Sequence, residues 1–144
     1  MVELSGEITS HVAALGAGTR DRRVFAILTR DPHFIEDAPV TGDDGVVRID
    51  IANIMEGVLL RFRDGALDTV TVFAQREGDY YPYPRPAELI TGLDIAAAAR
   101  EDVTGLLGEP AEASSDHAAY AVDGGRVTVA FVGDRPASVT VSRG

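Results

Sequence analysis

Two stretches of alternating hydrophobicity constrain this chain more than any other feature. In the first, Val58, Leu60 and Phe62 alternate with Leu59, Arg61 and Arg63. Asp64-Gly65 then offers a two-residue turn, and residues 67–73 are rich in β-branched side chains. In the second, Val127, Val129 and Phe131 alternate with Thr128 and Ala130. Gly133-Asp134 turns the chain, and Ala137, Val139 and Val141 alternate with Ser138 and Thr140. Successive strand side chains point to opposite faces, so each stretch predicts a hairpin with one apolar side. Val47, Ile49 and Ile51 predict a further strand ahead of the first hairpin. Tyr120 and Val122, before Asp123-Gly124-Gly125, do the same for the second. The result is two antiparallel meanders.

The two meanders superpose without a gap at an offset of 69, which sets Val58, Phe62, Val70, Thr71 and Val72 on Val127, Phe131, Val139, Thr140 and Val141. A helix ending in Leu-Gly precedes each. Ser5 caps the first, with Ile8, Val12 and Leu15 as its apolar stripe and Gly16 as its stop. The second runs from Leu93 to Gly108, with Asp94 as cap and Val103, Leu106 and Leu107 as stripe. The predicted fold is therefore α+β, with two tandem helix-plus-antiparallel-meander repeats packed as one domain. The first repeat covers about residues 4–75, a linker 76–92, and the second repeat 93–142. Edge-to-edge and face-to-face joining of the sheets both remain open, and in either the helices must cover the apolar faces. Residues 19–45 carry a poor signal: Val24–Leu28 is short and apolar, readable as a strand or a helical turn.

Composition narrows the function. The 144 residues contain no cysteine, so disulfides, thiolate metal sites and thiol nucleophiles are excluded. All 13 basic residues are arginine, which removes Schiff-base and P-loop lysine chemistry. The formal charge of −10 has the wrong sign for duplex nucleic acid and for anionic membranes, and points instead to a basic protein partner. Neither a signal peptide nor a membrane span is apparent, so a cytoplasmic location is expected.

Residues 93–141, through Arg100-Glu101-Asp102-Val103, Leu106-Leu107-Gly108-Glu109-Pro110, Tyr120 and the strands at 127–131 and 139–141, resemble a recurring bacterial module. It is found in proteins like the β-lactamase inhibitor protein and in outer-membrane-assembly lipoprotein domains. The chain also resembles small bacterial immunity-type proteins. What the resemblance implies is a fold and protein–protein contact, with no catalytic residue to carry over.

Candidate chemistry is sparse. His11, His33 and His117 lack the spacing of metal ligands and read as solvated surface groups; a site assembled through space, for instance His33 with Asp31 and Asp37, is the alternative. Ser114-Ser115-Asp116-His117 collects hydroxyl, carboxylate and imidazole as near neighbours, which triad members rarely are. Asp43-Asp44-Gly45 lacks calcium-loop spacing, Glu101-Asp102 point apart on a helix, and Gly16-Ala17-Gly18 follows a helix instead of preceding one. No catalytic residue, metal or cofactor is assigned. The distinctive segment is Asp79-Tyr80-Tyr81-Pro82-Tyr83-Pro84-Arg85-Pro86. Tyrosine and arginine are contact-surface residues, so Tyr80, Tyr81, Tyr83 and Arg85 are the candidate binding residues. Packing on a sheet edge and lining a ligand pocket are the other readings. The expectation is a non-enzymatic protein-binding module, an immunity-type inhibitor being one form, acting as monomer or homodimer. Alternatives are a small-molecule-binding or hydrolytic domain with a site between the halves (Tyr81, Tyr83, Asp116 and His117), or an assembly subunit pairing through sheet edges.

Overall fold

The alternating segments do form strands. The structure, a computed structural model, describes residues 1–143. Its elements in chain order are α1 (Ile8–Ala14), α2 (Arg22–Arg30), β1 (Ile35–Glu36), β2 (Val40–Thr41), β3 (Val47–Asn53), β4 (Val58–Arg63), β5 (Ala66–Phe73), α3 (Arg100–Leu107), β6 (Glu112–Ala113), β7 (His117–Val122), β8 (Gly125–Val132) and β9 (Arg135–Ser142). All nine strands join one antiparallel sheet, ordered β1-β3-β4-β5-β9-β8-β7-β6, with β2 also pairing to β3. The fold is α+β.

The meanders meet edge to edge. β5 and β9 pair through Val70↔Val141, Thr71↔Thr140 and Val72↔Val139. Within the hairpins, Leu60↔Val70 and Phe62↔Leu67 recur 69 residues later as Val129↔Val139 and Phe131↔Pro136. The register shift between Arg61 and Phe62 likewise recurs between Ala130 and Phe131. Asp64 and Gly65 both take positive φ, 48° and 83°, as the predicted two-residue turn requires.

One sheet face is covered. Ile51, Val58, Leu60, Phe62, Val70, Val72, Val127, Val129, Phe131, Val139 and Val141 pack with Ile8 and Ala14 of α1, Val24 and Ile27 of α2, and Val103 and Leu107 of α3. Residues at alternate positions, including Leu59, Thr69, Thr71, Thr128, Ala130, Ser138 and Thr140, point the other way. No helix is long and apolar enough to cross a membrane among the described residues.

The helices depart from their sequence patterns. α2 contains Val24–Leu28; Asp21 caps it by accepting from Arg23 N at 2.8 Å, and only Val24 and Ile27 of its apolar run are fully buried. The helix next before the first meander is thus α2, not the one ending at Leu15-Gly16. Ser5 does not cap α1. Its first free amides are taken by carbonyls from across the fold, Glu7 N donating to Glu88 O and Ile8 N to Leu89 O. Gly6 permits that approach: at φ +106°, a Cβ there would lie 2.6 Å from Leu89 O. α3 starts seven residues later than its pattern, because the backbone of residues 93–99 is committed elsewhere. Ile95 N donates to Pro86 O and Ala96 N to the Asp94 carboxylate, while Leu93 and Ile95 are buried in the core. Asp102 ties the true start by accepting from Ala99 N, and Gly108, at φ +84°, closes the helix as predicted. Leu106 of the predicted stripe is exposed.

Candidate functional site

The tyrosine–proline linker runs from one side of the sheet to the other. Leaving β5, it turns at residues 77–80 and lays Tyr80 on Phe73, ring centroids 4.4 Å apart. It then passes over the β3–β4 turn, where Tyr81 N donates to Ile54 O at 2.9 Å. Gly57 makes room: its φ is +65°, and an added Cβ would sit 2.2 Å from Tyr81 O. Tyr81 stays exposed at the crossing, under the Arg76 guanidinium and near exposed Ile54 and Met55. Tyr83 enters the helical layer and is 3% exposed.

There Tyr83 and Arg85 meet a set of ionisable groups that the sequence leaves scattered. The Tyr83 hydroxyl donates to Glu7 Oε1 at 2.5 Å. Arg85 donates through Nε to Glu7 Oε2 at 3.0 Å and through Nη1 and Nη2 to the Asp31 carboxylate at 2.7 and 2.9 Å. Its Nη2 also reaches the Tyr83 hydroxyl. Arg30 donates to Ser10 Oγ and lies 3.6 Å from Glu7. Asn53, fully buried, donates to Pro32 O and Glu56 and accepts from Glu56 N. One guanidinium thus joins the start of α1, the end of α2 and the linker.

The charges shape one another. Burial alone would raise the Asp31 carboxyl, but hydrogen bonds from Arg85 and Glu56 and the charges of Arg85 and Arg30 together outweigh it and hold Asp31 below its usual range. Burial, then the neighbouring Asp31, raises Glu56. Asp31 raises Arg85, and burial followed by Glu7 pushes the Tyr83 phenol up. His11 is 2% exposed, contrary to the solvated position its helix face implies, because α2 packs over that side of α1. Burial, reinforced by Arg30, draws His11 down to about 3, so it is neutral. Such perturbed clusters arise at catalytic sites and in structural ion networks alike. Here the Arg85, Tyr83 and Asp31 polar atoms are engaged with one another, so the cluster acts as a clamp.

The other sequence candidates do not converge. Ser114 Oγ and the Asp116 carboxylate both lie against His117 Nδ1, at 2.6 and 3.1 Å. A serine–histidine relay needs the two ring nitrogens to face different partners, so this exposed cluster lacks that geometry. Asp116 and His117 belong to the β7 edge, whereas Tyr81 and Tyr83 belong to the β3–β4 end. The junction between the halves is hydrogen-bonded sheet, not a cleft. His33 is exposed at φ 82°, and among the described residues no three His, Asp or Glu side chains gather as a metal site.

The remaining feature is the uncovered sheet face. At its centre Thr71 Oγ1 and Thr140 Oγ1 hydrogen-bond across the β5–β9 junction at 3.1 Å. Around them Thr69, Thr128, Ala130, Ser138 and Ser142 form a half-buried surface of short side chains, with Leu59 and the Tyr80–Phe73 stack on one flank. In the sequence these residues are the polar and small alternates of the apolar strand positions, and the period-2 pattern is the only mark they carry of a shared face. For Glu7, Asp31, Asn53 and Glu56 no such signal exists, since residues distant in the chain meet only on folding. Compared with protein-family models, with curated proteins and with solved structures, the chain has no match.

Proposed function

We propose that this chain is a non-enzymatic protein-binding module that presents the open face of its sheet to a partner. The observation that carries the reading is a broad strand surface with all three helices on the opposite side. Short hydroxyl and methyl side chains lose little rotamer entropy on docking, and a sheet pins them in place. Tyr81, Ile54 and Met55 extend the surface at one end, which keeps part of the tyrosine linker in a contact role. Tyr83 and Arg85 support that end from within.

In this reading the scaffold is a duplication. Shared hairpin registers 69 residues apart support it, with α2 and α3 as the equivalent helices and α1 as an addition. The outermost strands, β1, β2 and β6, are two residues long, and Val2 pairs with β7 beside β6. Such short edges disfavour pairing between chains, so the module works as a monomer. An immunity-type inhibitor acting in the cytoplasm fits a rigid, acidic, cysteine-free binder.

The test blocks the face without touching the core. Thr71→Arg and Thr140→Arg, singly and together, are compared with Phe25→Arg on exposed α2 in affinity capture from native lysate. Loss of a specific partner with the threonine variants and retention with Phe25→Arg support the reading. Equal capture by all variants refutes it.

A further inference from the structure

The two sides of the sheet differ in charge as well as in covering. Counting outward from the buried positions of each strand, the open face carries Arg48, Arg61, Arg63, Arg126 and Arg135. The carboxylates among its strand positions are Asp50, Asp68 beside the β5 register shift, and Glu112, the last opposite Ala119 of β7. Five arginines against three acids is a local excess of positive charge in a chain whose formal charge is −10. The acidic surplus therefore belongs to the helical side and the loops.

Not all five are free to engage a partner. Arg61 gives Nε and Nη2 to Asp50 at 2.9 and 3.1 Å, and Arg126 pairs with Glu112. Arg48 and Arg63 are different. They are direct cross-strand partners on β3 and β4, and like charges set opposite each other destabilise a sheet. Their own ion pairs are at the outer limit of contact: Asp50 lies 3.9 Å from Arg48, where Arg61 already holds it, and exposed Asp44 lies 4.0 Å from Arg63. Both guanidiniums are about half exposed. With Val40, Gly42, Asp44 and Val46 they line a hollow of about 250 Å³. A carboxylate accepts parallel hydrogen bonds from guanidinium and would relieve the repulsion.

We infer that the open face receives an acidic protein surface and that a partner carboxylate seats between Arg48 and Arg63. The inference rests on the docking role proposed above and specifies the partner's chemistry. It reverses the expectation drawn from net charge. Net charge governs long-range steering, whereas contact is decided by charges within a Debye length of about 8 Å at physiological salt.

The experiment titrates the ¹⁵N-labelled protein with poly-L-glutamate at low salt, reading arginine Nε–H and backbone amide resonances. Polylysine and an oligothymidylate are the comparison probes. Saturable shifts at Arg48, Arg63 and neighbouring β3–β4 amides, weakened roughly tenfold in Arg48→Ala/Arg63→Ala but not in Arg20→Ala/Arg22→Ala, support the inference. Relief of the like-charge pair also requires Arg48→Ala/Arg63→Ala to melt no lower than the parent protein. Shifts confined to other arginines, or tighter binding of polylysine, overturn the inference; tighter binding of the oligothymidylate overturns it in favour of nucleic acid. The two proposals fail separately. Partner capture that depends on Thr71 and Thr140 but not on Arg48 and Arg63 leaves the docking face standing and removes the acidic partner.

Discussion

Acidifying the solution should destabilise this protein through His11, and the size of the effect follows from where the side chain sits. The imidazole is enclosed between α1 and α2. Arg30 and Arg85 oppose its protonation and Asp31 favours it, and the net result is a drop from 6.5 to about 3. The folded state therefore holds His11 neutral while the unfolded chain protonates it near pH 6.5. Between these values the unfolded state binds the extra proton, so stability falls as pH falls through that window and is level above it. From about pH 7.5 to about pH 5 the linkage removes about 2 kcal/mol, taking 1.36 kcal/mol per unit below 6.5. Asp31, held low, loses its contribution only in stronger acid, below the unfolded carboxylate range. Glu56, held high, acts in the opposite direction as pH rises through its folded value. Comparison with His11→Gln isolates the histidine from both. Urea unfolding of the two proteins, followed by far-UV circular dichroism across this pH range, should show curves that separate steadily below about pH 6.5. Parallel curves would mean that His11 titrates like a free imidazole, and the burial argument would be refuted.

Two further predictions concern the clamp and the linker. Arg85→Met leaves Glu7 and the 4%-exposed Asp31 without their main cation and should cost about 3 kcal/mol, or about 6–12 °C in Tm by calorimetry. Adding Asp31→Asn should restore part of that loss, since an uncompensated buried charge is the larger penalty. Gly57→Ala should destabilise by well over the ~1 kcal/mol of a left-handed alanine, because its Cβ would strike the Tyr81 carbonyl. Gly78→Ala, at φ +57° with nothing within 4 Å, carries the backbone cost alone. Similar urea midpoints for the two alanine variants would show that the linker does not press on the turn.

How much of this molecule was legible before folding depended on the range of the interaction involved. Hairpin registers and turns are local: Asp64-Gly65 adopts left-handed dihedrals, and alternation alone separates Leu60 and Phe62 from Leu59 and Arg61. Helix boundaries were less legible. Residues 93–99 have an acceptable helical pattern, yet Pro86 and the core claim their backbone and apolar side chains. For α2 the sequence leaves strand and helical turn both open, because a five-residue apolar run gives no helical period, and only tertiary packing chooses Val24 and Ile27 as the buried pair.

Tyr83 and Arg85 show the same division at the site. Their residue types announced a contact surface, but their partners, Glu7 and Asp31, lie 76 and 54 residues away in the chain. Composition likewise determined the net charge, and alternation the side of each strand that Arg48, Arg61 and Arg63 take, while strand pairing decided that Arg48 and Arg63 stand opposite each other. Strand periodicity is written in neighbouring residues and survives without a fold. The edge-to-edge joining of the meanders, the neutral His11 and the Arg48–Arg63 pair require strands and helices already in place, because each depends on groups that only the folded chain brings within reach.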